Sequence, residues 1–206
     1  RAALRAFNWA VKQKILDVSP LKGMERPRPR SRDNFLSDED YRKLRQAASK
    51  PFKLLLFALR HTGARPSEVR RLTWDQVQDD CWVLKEHKTS SKTGKLRVIP
   101  LTPVMAKLMR ALRKRSKSRY VFVNCHGNKW TTNAVRLQMA RLRRKLGLPG
   151  DTCAYLIRHA YGTYAILNGV DPITLAENMG HRDTTMISRV YVHLANQKEH
   201  LVAAAA

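Results

Sequence analysis

The stretch His61-Thr62-Gly63-Ala64-Arg65-Pro66-Ser67-Glu68-Val69-Arg70-Arg71-Leu72-Thr73-Trp74 decides how the chain folds. It follows Phe52–Leu59, a run apolar on every face, which predicts a central buried helix. Gly63 is suited to end that helix in a left-handed turn, and Pro66 to open the next one, because proline presets the backbone of a first helical turn. Arg65 therefore sits at a tight helix-to-helix junction, where its planar fork is aimed rather than loose. Glu68, one turn later, is placed to orient it.

Outward from this junction, Ser37 with Asp40 is a weaker form of the capping box and opens a helix burying Tyr41, Leu44 and Ala48. Cys81–Lys85 and Leu96–Ile99 read as a β-hairpin around a Ser/Thr/Lys/Gly loop. Thr102-Pro103 begins another helix with Leu108 and Leu112 facing in, and Tyr120–Val123 is a candidate third strand. Thr132 is the expected cap of a helix whose Val135, Met139, Leu142 and Leu146 form an apolar stripe. Arg136, Arg143, Arg144 and Lys145 lie off that stripe, as a solvated face or a nucleic-acid surface. Further helices are expected at 156–168, 172–179 and 184–196. The expected fold is mostly α with a small antiparallel β-sheet.

Three segments follow. Residues 1–18 read as a helix with Leu4, Phe7, Val11 and Ile15 on one face, as though the tail of a helical domain whose earlier part is missing. Residues 19–33 contain Pro20, Gly23, Pro27 and Pro29, which predict a linker whose Arg28, Arg30 and Arg32 suit a phosphate backbone. Residues 34–206 form the main domain.

The chain has 206 residues, with 40 Lys+Arg against 16 Asp+Glu and a net charge of +24. A field that strong calls for a polyanion, and nucleic acid is the default partner. No apolar stretch approaches the ~18 residues of a spanning helix, so no membrane partner is expected. Cys81, Cys125 and Cys153 lack framework spacing, which predicts a reducing, cytoplasmic setting. Grouped acids are confined to Asp38–Asp40 and Asp79-Asp80, which disfavours metal-dependent phosphoryl transfer. No GxxxxGK[ST] or GxGxxG loop is present, and no cofactor is expected. The remaining plan for stabilising a pentacoordinate phosphate is a clamp of arginine, lysine and histidine.

Four motifs, TGARPSEVRRLTW, LIRHAYGT, MGH and RVYVHL, occur in that order over about residues 34–196. In this they resemble the catalytic domain of the tyrosine recombinases, the phage-integrase family. The resemblance implies DNA strand cleavage and rejoining through a 3′-phosphotyrosyl intermediate, without metal or ATP, by a homotetramer on paired double-stranded sites. It implies Tyr191 as nucleophile, Arg65 and Arg158 as the phosphate-binding pair, and Glu68 as support for Arg65. His181 would hydrogen-bond the phosphate or the tyrosine, and Lys92 would protonate the departing 5′-oxygen. Lys88 and Lys95 are alternatives to Lys92, and Lys88 otherwise reads as a DNA contact. One departure stands out: the position three residues before Arg158, usually histidine, is Tyr155, a hydrogen-bond donor but a poor proton shuttle near neutrality. His159 lies about 100° away on the helix and is expected to be a buried structural residue. His193 reads as a packing residue. Rival readings are a type IB topoisomerase, a catalytically silent DNA-binding protein on the same fold, and a basic RNA-binding module.

Overall fold

Helix α1 covers Ala2–Lys12, with Leu4, Phe7, Ala10 and Val11 half-buried and Trp9 exposed. It stops short of the expected residue 18 because Lys14 turns left-handed, at φ +57°. The Ile15 amide then bonds back to the Ala10 carbonyl at 2.9 Å, closing a Schellman-type end. Ile15, expected on the apolar face, is consequently exposed. The computed structural model describes residues 2–25, 36–84 and 96–180. The chain divides into two units, residues 1–33 and 34–206, and α1 belongs to the first.

In the second unit α2 (Asp38–Ala47) begins where the Ser37 hydroxyl accepts the Asp40 amide at 3.0 Å. Tyr41, Leu44 and Ala48 are buried, as their spacing predicts. Helix α3 (Lys50–Thr62) forms the centre: Phe52, Leu55, Leu56, Ala58 and Leu59 are wholly excluded from solvent. Burying the leucines and the phenylalanine contributes roughly 1.5–3 kcal/mol each relative to exposure. Gly63 ends α3 at φ +59°, and Pro66 opens α4 (Pro66–Arg71).

Strands β1 (Cys81–Leu84) and β2 (Arg97–Pro100) pair antiparallel, with Trp82 opposite Ile99 and Leu84 opposite Arg97. The pleat sends Trp82, Leu84, Arg97 and Ile99 inward and Val98 out. The third strand expected at Tyr120–Val123 does not form. Tyr120 and Val123 make isolated bridges to Thr73 and Lys129, and the Val121 amide bonds to the Leu72 carbonyl at 3.0 Å. Each bridge partner belongs to a turn rather than a strand, so no ladder propagates.

Helix α5 (Pro103–Arg113) is capped by Thr102 and buries Met105 and Met109. Leu108 and Leu112, expected to face in, are half-buried, packed against the edge of the core rather than within it. Helix α6 (Thr132–Lys145) is capped by Thr131 rather than Thr132, its hydroxyl accepting the Ala134 amide at 3.0 Å. Val135, Met139 and Leu142 are buried and Leu146 packs beside them. Helix α7 (Ala154–Leu167) starts two residues before the expected boundary. Helix α8 (Pro172–Met179) opens with Asp171 accepting the Thr174 amide at 2.8 Å. The expected helix at 184–196 lies outside the described residues. Helix α3 packs against α2, α4 and α7, while α8 packs against α7 and β2. That arrangement brings the ends of α3 and α8 to one place.

Candidate active site

Helices leave their last carbonyls without intrahelical partners and carry partial negative charge there. Both α3 and α8 end in a glycine with left-handed backbone, Gly63 at φ +59° and Gly180 at φ +63°. Their free carbonyls are gathered by arginines. Arg158, on α7, is 1% exposed and donates from Nη1 to the Gly63 carbonyl and from Nη2 to the Met179 carbonyl, both at 2.5 Å. Arg65, just before α4, donates from Nη2 to the Gly180 carbonyl at 2.7 Å. Arg65 and Arg158 are thereby fixed at one locus from distant parts of the chain.

Glu68 is the acid that orients Arg65. Its Oε2 accepts the Arg65 backbone amide at 2.7 Å and its Oε1 accepts Arg65 Nη1 at 2.8 Å. The same Oε1 accepts Nε of Arg97 at 3.1 Å. Burial alone would raise the Glu68 pKa, but Arg97 and then Arg65 hold the carboxyl below its usual range. Burial, with the charge of Arg65 nearby, pushes Arg158 down to about 10. It is still cationic at neutral pH. Burial also lowers Arg97, against the pull of Glu68.

Arg97 is the residue that sequence reading passed over. It is 5% exposed. Besides Glu68, it donates to the Glu177 carbonyl at 3.4 Å and the Asn178 carbonyl at 3.0 Å. A Cβ on Gly180 would overlap its guanidinium, so Gly180 is required both by its backbone and by this approach. At Gly63 a Cβ would overlap the Tyr161 ring in the same way. A signal for Arg97 existed in its phase with Ile99, which puts both on the inner face of β2.

Tyr155 lies one turn before Arg158 on α7, half-buried, with its ring edge-on to His159 at 4.9 Å between centroids. His159 itself is half-buried rather than buried as expected, with its ring against Tyr155. On α6, Arg136 and Arg144 are exposed and Arg143 half-buried, with Arg136 Nη2 donating to the Asn133 side-chain Oδ1 at 2.9 Å. Tyr191, His181, His193, Lys92, Lys88, Lys95, Arg28, Arg30 and Arg32 lie outside the described residues. His181 nonetheless follows Gly180 directly in the chain. Among the described residues no three His, Cys, Asp or Glu side chains gather as a metal site, and no helix is long and apolar enough to cross a membrane.

A helical domain with a two-stranded hairpin and paired arginines at the ends of two helices matches a known class. Residues 34–198 match the phage integrase family, and the chain belongs to it. Tyrosine recombinase XerD of Lacticaseibacillus casei is 31% identical over 150 residues, covering 69% of this chain and 49% of that protein. Tyrosine recombinase XerC of Brucella melitensis is 26% identical over 184 residues, covering 87% of this chain and 56% of that protein. The chain thus spans about half the length of these curated relatives. Among solved structures, the Tn1549 transposon integrase in complex with transposon right end DNA superposes with a TM-score of 0.69 at 20% identity, over 98% of this chain and 76% of that one. A lambda integrase dimer bound to a COC' core site superposes at 0.72 and 16% identity, over 91% of this chain and 56% of that one. These likenesses show a shared fold.

Proposed function

We propose that this chain is a site-specific DNA recombinase that cuts and reseals strands through a tyrosine–phosphate bond. The observation that carries this reading is the convergence of Arg65 and Arg158 on the carbonyls of Gly180, Gly63 and Met179, in a cluster that includes one buried acid. Such a cluster is pre-organised for the charge that develops on a phosphodiester under attack. Tyr191 Oη attacks phosphorus and gives up its proton to solvent water; the P–O5′ bond breaks and Lys92 supplies a proton to the departing 5′-oxygen, to be reprotonated from solvent afterwards. The two arginines hold the non-bridging oxygens, and His181 donates to the phosphate. Rejoining reverses the step with a second 5′-hydroxyl, so the energy of the phosphodiester is conserved and no ATP or metal is consumed. Residues 34–206 do this chemistry, residues 1–18 with a helical element clamp the duplex, and Arg28, Arg30 and Arg32 in the 19–33 linker follow its backbone. Four protomers assemble on two duplexes.

A second reading is favoured by Tyr155, which stands against His159 where the family usually has histidine: a DNA-binding protein that no longer breaks strands. Both readings are tested by covalent capture on a pool of nicked random-sequence duplexes with chelator present, followed by denaturation. Protein-linked DNA from the native chain and none from Tyr191→Phe is expected. DNA binding without adducts from either would overturn strand cleavage in favour of the second reading.

A further inference from the structure

We infer that Arg97 is a positioning residue that locks the Arg65–Glu68 pair and the end of α8 into one unit, so that the phosphate-binding fork and the segment entering His181 are set together. Resting on the recombinase reading, it adds a residue outside the motifs that carry the family resemblance. Arg97 is not itself a phosphate ligand. At 5% exposure it makes three internal hydrogen bonds, to Glu68 Oε1, the Glu177 carbonyl and the Asn178 carbonyl.

The need for arginine here is geometric. The three acceptors lie on α4 and on two successive carbonyls of α8, and a planar fork reaches them from Nε, Nη1 and Nη2 at once. A lysine presents a single nitrogen to the same acceptors. Gly180 closes the arrangement by leaving no Cβ against the guanidinium.

The charge balance has a consequence too. Glu68 Oε1 is shared between Arg65 and Arg97, so Arg65 does not hold it alone. With Arg97 gone, Glu68 binds Arg65 undivided and draws its fork away from a phosphate, while the Glu177 and Asn178 carbonyls lose their shared donor. With Arg97 present, Arg65, Arg97 and Arg158 against Glu68 leave two positive charges uncompensated among these four side chains. That matches the dianion of a pentacoordinate phosphorane.

The test uses the full chain with Arg97→Lys, Arg97→Met, Arg65→Lys and the double variant Arg65→Lys/Arg97→Lys. The first readout is the single-turnover rate of adduct formation at saturating nicked DNA, with affinity measured separately. Arg97→Lys is expected to slow adduct formation about 100-fold, the typical penalty of an ångström-scale misplacement. DNA affinity should stay within about 3-fold, and little further rate should be lost in the Arg65→Lys background, since residues acting as one unit are not additive. Losses that multiply, or an undiminished rate, overturn the inference. The second readout is amide hydrogen exchange, which needs no activity. Arg97→Lys and Arg97→Met should both speed exchange in residues 65–68 and in 172–180 together. If exchange changes only in the hairpin, the positioning role is wrong whatever the catalysis. Native protein that forms no adduct while the exchange effect appears would instead sink the recombinase reading and leave the coupling in place.

Discussion

Glu68→Gln is the perturbation that asks most of this structure. The side chain keeps its volume and loses its charge, and the three donors now converging on two carboxylate oxygens meet one oxygen and one NH₂ group. At least one of Arg65 Nη1, Arg97 Nε and the Arg65 amide then faces a donor. Arg65, Arg97 and Arg158 would also lie together without the carboxylate that now sits among them. Two cations ~4 Å apart at an effective dielectric near 20 repel by about 4 kcal/mol, although relief of the burial cost of the carboxylate offsets part of this. Removing one partner from a buried ion pair typically costs about 3–5 kcal/mol. For a domain of this size that corresponds to a fall of roughly 6–20 °C in Tm.

Urea unfolding followed by tryptophan fluorescence is a suitable assay, because Trp82 and Trp130 are buried in the core of the second unit. The pH dependence is the sharper arm. The Glu68 carboxyl is held below its ordinary value of 4.5 in the folded chain. A depressed carboxylate contributes stability that is complete above the unfolded pKa and is lost as pH falls through the folded one. The stability gap between native and Glu68→Gln should therefore be flat from pH 7 to about 5 and shrink only below ~4.5. A gap under about 1 kcal/mol at pH 7, or one that widens on acidification, would refute the shared-acid arrangement.

Gly180→Ala should cost at least ~1–2 kcal/mol from its left-handed backbone alone. Displacement of the Arg97 guanidinium adds to that, so urea midpoints should fall without a change in m. Arg136→Gln with Arg144→Gln, if both side chains contact phosphates, should reduce the slope of log K against log salt by about 1.8 for duplex DNA; an unchanged slope would identify α6 as a solvated face. Tyr155→His restores the residue usual in the family and should raise the rate of adduct formation near pH 7, by at most about 100-fold, the lower end of what a positioned general acid or base supplies. A rate that falls would show that the tyrosine hydroxyl is itself required there.

What was legible in the sequence was local. Gly63, Pro66, Ser37 and Asp171 act within a single turn, and each stands at the boundary its chemistry predicts. Thr131 and Thr132 carry the same hydroxyl side by side, so choosing the cap between them needed the backbone itself. Lys14 gave no warning of the turn that ends α1, because lysine has no preference for a left-handed conformation. Tyr120–Val123 has the composition of a strand, but a ladder also needs a strand to pair with, and that is a property of the fold. Within the site, Arg65 and Glu68 were readable because they are three residues apart at a junction. Arg158 needed a family resemblance, since its partners lie 95 and 21 residues away. Arg97 escaped both routes. Its acceptors are 29, 80 and 81 residues distant, and in a four-residue strand hydrophobicity alone does not choose between a face bearing Val98 and one bearing Ile99. Once Ile99 is known to face inward, strand alternation forces Arg97 in beside it, and an inward arginine demands a buried acid. In a chain with only 16 acids, Glu68 is one of the few that a junction already holds in place. The coupling between hairpin, junction and α8 thus follows from a single register choice, which the backbone settles.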